Sequence, residues 1–223
     1  MKTRKYISFC AAAMLLLGFV LWTVLVRTVD VKQIGPLGSA VGLATLNGWV
    51  HRLTGVHLFL YTVTDWLGLL PIGVAFGFAV LGLVQWIKRK SLFKVDRSIL
   101  VLGGFYAVVM AVYLLFEVVV VNDRPVLIEG VLEASYPSST TVLVMCVMPT
   151  AIMQLNDRIL NRVIRMCMTA LIVVFIAFMV VGRLVSGVHW VTDIIGGSLF
   201  SAGMVMLYHS VLTLFGTRIG QDI

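Results

Sequence analysis

Apolar runs of about 20 residues, each long enough to cross a hydrocarbon layer of roughly 30 Å, recur along this chain between short polar stretches. A segment in lipid must satisfy its own backbone hydrogen bonds, which leaves only helices or a closed barrel. Barrel strands would show segments of about 10 residues with alternating polarity, and no such alternation is present. The chain therefore reads as an all-α polytopic membrane protein. Its composition agrees, with 60% hydrophobic and only 12% charged residues. The apolar runs place six transmembrane helices near residues 6–26, 66–87, 98–121, 139–155, 166–186 and 191–215. The 223 residues then form a single membrane domain, with a first helix and connector in 1–65 and a five-helix core carrying the site in 66–215.

The formal net charge of +7 does not signal nucleic acid, because the basic residues cluster at the ends of apolar runs rather than forming one stripe. Their distribution sets an orientation instead. Lys2, Arg4 and Lys5, then Lys88, Arg89, Lys90, Lys94 and Arg97, then Arg158, Arg162 and Arg165, and finally Arg218 put twelve of the seventeen basic residues on one side. The positive-inside rule makes that side, and both termini, cytoplasmic. The expected location is the bacterial plasma membrane. Residues 27–65, 122–138 and 187–190 then face the extracytoplasmic side. The start of the chain has the charge pattern of a signal peptide but lacks a small-x-small cleavage site before Arg27, so it is kept as the first membrane helix. Cys10, Cys146 and Cys167 lie in separate apolar runs without a Cys-x-x-Cys spacing, so neither disulfides, zinc nor any other cofactor is expected.

Ionisable residues at membrane depth are costly and mark either a function or a mutual pairing. Here they gather at helix ends on one side: Glu117, Asp123 and Arg124 after the third run, Ser138 to Thr140 before the fourth, Arg183 at the end of the fifth, His189 and Asp193 before the sixth. Asp193 follows His189 by four residues, one helical turn. A carboxylate at that spacing can fix the imidazole tautomer and leave the other nitrogen free to attack. Arg124 and Arg183 offer forked donors for phosphate oxygens. Ser138, Ser139 and Thr140, opening a helix, suit either an ordinary cap or an anion site. Together these parts point to phosphoryl transfer.

The remaining polar residues read more plainly. Asp123, Glu129 and Glu133 are expected as solvated loop charges, with protonation of a leaving group as the alternative if the loop folds inward, and Tyr136 as an interfacial aromatic. The Gly-rich segment with Gly35, Gly38, Gly42 and Gly48, followed by Trp49, His51, Arg52 and apolar Val56 to Tyr61, is expected to lie in the interface as a connector, with a substrate-entry lid as the alternative.

Three blocks of the sequence resemble the type-2 phosphatidic acid phosphatases, or lipid phosphate phosphatases, which share a site plan with vanadium haloperoxidases. Gly182-Arg183 through His189 to Asp193 resembles the family's Ser-Arg, five residues, His, three residues, Asp, with Gly182 in place of the Ser. Tyr136-Pro137-Ser138-Ser139-Thr140 resembles Pro-Ser-Gly-His, keeping Pro137 and Ser138. Glu117 to Pro125 resembles Lys, six residues, Arg-Pro, keeping Arg124-Pro125. The resemblance implies a metal-independent phosphatase acting on a membrane lipid phosphate, such as an isoprenyl diphosphate or phosphatidate. His189 would attack phosphorus, Asp193 support it, and Arg124, Arg183 and Ser138 hold the phosphate. Glu117 stands where the family places Lys, and Thr140 where it places the His that protonates the leaving group. Glu117 is thus either a structural ion-pair partner or a substitute acid. A catalytically degenerate lipid-phosphate binder or transporter, and a lipid phosphotransferase, are the alternative readings.

Overall fold

The computed structural model describes residues 2–214, with side chains from residue 6 onward; Arg218, residue 215 of the sixth expected span and the side chains of Lys2, Arg4 and Lys5 lie outside the described residues. The helices in chain order are α1 (Lys2–Thr28), α2 (Ala44–Thr54), α3 (Leu58–Leu67), α4 (Leu69–Arg89), α5 (Arg97–Val118), α6 (Ser139–Arg158), α7 (Arg162–Val185) and α8 (Val191–Leu214). Besides them, two short 3₁₀ turns, Pro36–Gly38 and Leu92–Lys94, and isolated β-bridges occur among the described residues. Six stretches are long and apolar enough to cross a membrane: Tyr6–Thr28, Leu58–Arg89, Arg97–Val118, Ser139–Arg158, Arg162–Val185 and Val191–Leu214. The protein is an all-helical integral membrane protein.

Two boundaries differ from the sequence expectation, and both bear on the site. The second crossing begins at Leu58 rather than near residue 66, so Leu58 to Tyr61 belong to a crossing helix and not to an interfacial segment. It breaks at Gly68, whose N–H bonds the carbonyls of Thr64 and Asp65, and restarts with Pro71 in the first turn of α4, where no N–H is needed. The third crossing stops at Val118 rather than 121, which frees residues 119–138 to form a loop. Glu117 and Arg124 therefore do not share a helical face.

The crossings run alternately up and down. This gathers the α1–α3 connector, the 119–138 loop and the 186–190 turn at one end, the site end, and the 90–96 and 159–161 connections at the other, the basic end. α6 and α8 form the centre: 56% and 50% of their apolar windows are buried, against 11–17% for the other four crossings. α8 packs between α1, α5 and α6 through a cluster that includes Phe19, Leu102, Phe105, Cys146, Phe200, Met204 and Tyr208. Small residues permit this closeness, since a Cβ on Gly196 would lie 2.6 Å from the Tyr136 ring. Tyr136 is itself part of this core, stacked on Phe19 with its hydroxyl 2.7 Å from Thr23 Oγ1, which corrects the expectation of an interfacial aromatic. The two most buried crossings are also the two whose first turns carry the candidate site.

Candidate active site

His189 sits in the turn between α7 and α8, almost fully buried. That turn is shaped by Gly187, held at φ +68°, where a Cβ would come 1.9 Å from the Gly55 carbonyl oxygen. Asp193 lies in the first turn of α8, and its Oδ2 is 3.6 Å from His189 Nδ1. The same oxygen accepts the Trp190 N–H at 2.9 Å, so the carboxylate is anchored independently of the imidazole. The expected tautomer follows: Nδ1–H faces Asp193 and Nε2 keeps its lone pair. Catalytic hydrogen bonds of this kind shorten when substrate is bound.

Arg124 Nη1 is 3.4 Å from His189 Nε2, the nitrogen free to attack. Arg124 is carried by the 119–138 loop, where its N–H bonds the Glu133 carbonyl at 2.9 Å and its side chain pairs with Glu133, Nε to Oε2 at 2.9 Å. Glu133 is thus a loop charge that pairs with Arg124 while 42% of its side chain stays exposed. Asp123 holds Trp190 through its backbone carbonyl, at 2.7 Å from the indole Nε1.

Arg183, buried in the last turns of α7, reaches α3: Nη1 is 3.6 Å from Asp65 Oδ1 and 3.4 Å from Thr64 Oγ1, with the guanidinium 4.9 Å from the Tyr61 ring centroid. Thr64 gives its own hydrogen back to the Leu60 carbonyl, so it receives Arg183 as an acceptor. Arg183 Nε and His189 Nδ1 have no hydrogen-bond partner among the described residues. Burial foremost, then the positive fields of Arg124 and Arg183, hold the His189 pKa well below the usual imidazole value. The ring is neutral at pH 7, the state a nucleophile needs.

The second block divides its roles. Ser138 is fully buried and caps α6, its Oγ 3.5 Å from Thr141 N and accepting from Thr141 Oγ1 at 3.0 Å, which leaves only its own hydrogen to offer. Its backbone N–H bonds the Asp193 carbonyl at 3.2 Å, tying the start of α6 to that of α8. Ser139 lines a cavity of about 20 Å³, room for roughly one water, together with His189, Glu117 and Tyr113. Ser139 and Tyr113 also line a larger, mainly apolar groove of about 520 Å³ between α4, α5 and α6, with Asp65 and Thr140 at its polar end. Thr140, where the resemblance expected a His, thus faces the groove and is absent from the lining of the small cavity.

The family model for the PAP2 superfamily matches residues 107–216, the stretch that holds all three blocks. The chain belongs to the PAP2 superfamily. The crystal structure of the first transmembrane PAP2 type phosphatidylglycerolphosphate phosphatase from Bacillus subtilis shares the fold, with a TM-score of 0.54 and 18% sequence identity over 95% of this chain and 98% of that one. No curated protein matches the chain in sequence. The three blocks lie together in space, while Asp65, Thr64 and Tyr113 join them without having been singled out. Only Asp65 carried a sequence signal, as an acid that the true start of the second crossing places inside a span. His51 and His57, on the connector, bond the Gly187 and Thr54 carbonyls at 3.1 and 2.9 Å. Among the described residues no three His, Cys, Asp or Glu side chains cluster as metal ligands.

Proposed function

We propose that this protein is a lipid phosphate phosphatase that hydrolyses a phosphomonoester or diphosphate of a membrane lipid through a phosphohistidine intermediate. The observation that carries the reading is a buried, neutral His189 backed by Asp193, with Arg124 3.4 Å from its Nε2 and the field of Arg183 acting on it as well. Two guanidinium groups around one uncharged nucleophile favour a phosphate and the charge of its transfer.

His189 Nε2 attacks phosphorus, forming an N–P bond as the bond from phosphorus to the leaving oxygen breaks, the lipid alcohol oxygen in a monoester or the bridging oxygen in a diphosphate. Asp193 steadies the imidazolium that results. The leaving oxygen takes a proton from an acid, for which Glu117 is the candidate because it lines the His189 cavity. Water, giving a proton to the carboxylate left by the first step, then attacks the phosphohistidine, releasing phosphate and restoring both neutral His189 and the acid. The groove beside Ser139 and Tyr113 supports a lipid substrate, since its apolar walls suit acyl or isoprenyl chains while the phosphate lies towards His189. Because the Bacillus subtilis protein is a phosphatidylglycerolphosphate phosphatase, a phospholipid monoester is among the substrates to try first. By the positive-inside rule the site end faces the extracytoplasmic side of the plasma membrane.

The test is phosphate release by purified protein from a panel of lipid mono- and diphosphates, with and without chelator, beside His189→Ala. Turnover should fall by roughly 10⁴-fold or more in the variant and be indifferent to chelator. Equal turnover in both proteins defeats the proposal. Replacement of the expected His by Thr140 favours one other reading, a lipid-phosphate binder or transporter. It predicts that binding of a phosphate analogue depends on Arg124 and Arg183 while no lipid is turned over. A phosphotransferase would instead deliver the group to an acceptor other than water.

A further inference from the structure

Beside the contacts that Ser135 and Asn122 make with the Asp193 carboxylate lies a buried polar strut centred on Thr192. Thr192 Oγ1 is 3.0 Å from Asn47 Nδ2, 3.4 Å from Asn122 Nδ2 and 3.5 Å from Asp193 Oδ1, and all four residues are buried. Neither amide can be turned over. Asn47 donates to the Gly42 carbonyl at 2.8 Å while its Oδ1 accepts the Thr192 N–H at 3.3 Å, and Asn122 Oδ1 accepts the Gly42 N–H at 3.0 Å. Both NH₂ groups therefore face the hydroxyl. A hydroxyl has two lone pairs and one hydrogen. With both lone pairs taken, the hydrogen of Thr192 is directed at Asp193 Oδ1. The other carboxylate oxygen holds the Trp190 N–H and faces His189.

The strut begins in the α1–α3 connector, which lies outside the matched PAP2 stretch. The connector also grips the turn that presents His189: His57 N–H bonds the Ser186 carbonyl at 2.9 Å, and His51 bonds that of Gly187. Trp22 of α1 donates to the Thr192 carbonyl at 3.1 Å. Held at this many points, the connector serves as a frame for the turn rather than as a lid over it.

We propose that Thr192, its hydroxyl oriented by Asn47 and Asn122, is a positioning residue that sets the carboxylate of Asp193 and through it the tautomer and aim of His189. For its kinetic consequence the proposal rests on the phosphatase reading; for its structural consequence it does not. Thr192→Val keeps the shape and removes the hydroxyl, and Thr192→Ser restores it. Two measurements on the full chain in lipid nanodiscs decide the matter: kcat and KM for phosphatidate, and the ¹⁵N spectrum of the histidine rings, with the His189 signals identified by His189→Gln.

Thr192→Val should lower kcat by about tenfold to a hundredfold, the range seen when a supporting partner of a site ligand is removed. KM should stay within about twofold, because the arginine clamp is untouched. The His189 ring signals should move from one neutral tautomer towards a mixture, and Thr192→Ser should return both readouts. Wild-type kcat and unmoved ring signals in Thr192→Val, even with a lowered melting temperature, overturn the proposal and leave Thr192 a tie between helices. Should Thr192→Val fail to fold, Thr192→Ala, which likewise removes the hydroxyl and leaves Asn122 on the carboxylate, must shift the ring signals in the same direction. If the wild type releases phosphate from no lipid, the phosphatase reading fails and the ring spectrum alone decides.

Discussion

The bundle carries paired charge at both ends, half-buried at one and buried at the other, and the two ends meet its cost in different ways. At the basic end Asp96 accepts from Gln85 Nε2 at 2.7 Å and from Arg89 Nη1 at 2.8 Å, and its own N–H returns to Gln85 Oε1 at 3.0 Å. Arg158 lies 3.8 Å from the same carboxylate and donates to the Gln154 carbonyl, and Gln154 reaches Tyr208 of α8. These short, reciprocal bonds lock α4, α5, α6 and α8 together. At the site end the contacts of Arg183 are 3.4 and 3.6 Å long, Asp193 stands 3.6 Å from His189, and both Arg183 Nε and His189 Nδ1 make no hydrogen bond among the described residues, whereas at the basic end Arg158 Nη2 is left over from an arginine that is otherwise bonded. A cluster built only for stability would close its hydrogen bonds. One that keeps cationic donors at long range around a neutral imidazole is arranged for an anion that brings its own acceptors.

The contrast can be broken by exchange of roles. Arg183→Met should lower kcat/KM by about 10³-fold, the scale of losing a donor to transition-state charge, while the protein folds, since Asp65 has access to solvent; phosphate release on the purified variant checks it. Glu117→Gln should cost about 10²-fold in kcat if the carboxyl is the acid. Full retained activity across pH would remove Glu117 from the mechanism. At the basic end, Asp96→Ala should leave turnover per folded molecule unchanged and lower stability by about 1–2 kcal/mol, its bonds being partly screened by solvent. A large loss of turnover there would show that the ends are not separate in function.

The smallest effect concerns pH. His189 is held below its usual pKa in the fold, so the unfolded chain takes up a proton below about pH 6.5 that the native protein does not. The stability this provides is complete above that pH and is lost as the pH falls through it, by at most about 1.4 kcal/mol per pH unit. Denaturation of wild type and His189→Gln at pH 7.5 and 5.5 should show the steeper loss in the wild type. Equal slopes would mean that the imidazole is not held neutral by burial.

Part of this was legible without coordinates because it is local. The apolar runs named the crossings, and His189 to Asp193 is a spacing of one helical turn. The partners were not legible. Glu133 reaches Arg124 only because residues 119–138 leave the helix at Val118 and fold back as a loop, which a run of valines from 118 to 121 conceals. Asp65 meets Arg183 only because the second crossing starts at Leu58 and breaks at Gly68.

By itself, then, the sequence determined the membrane, the number of crossings, and the identity of a histidine, an aspartate and two arginines at helix ends on one side, since each follows from hydropathy, charge or short-range spacing. Only the tertiary structure decided which groups those charges meet, that Ser138 caps while Ser139 faces the cavity, that Tyr136 is core, and that Asn47 and Asn122 turn the Thr192 hydroxyl towards Asp193. The physical reason lies in the solvent. In lipid, a helix that is apolar on every side carries no stripe to show which face turns inward, so long-range pairing depends on rotations and loop paths that only packing sets.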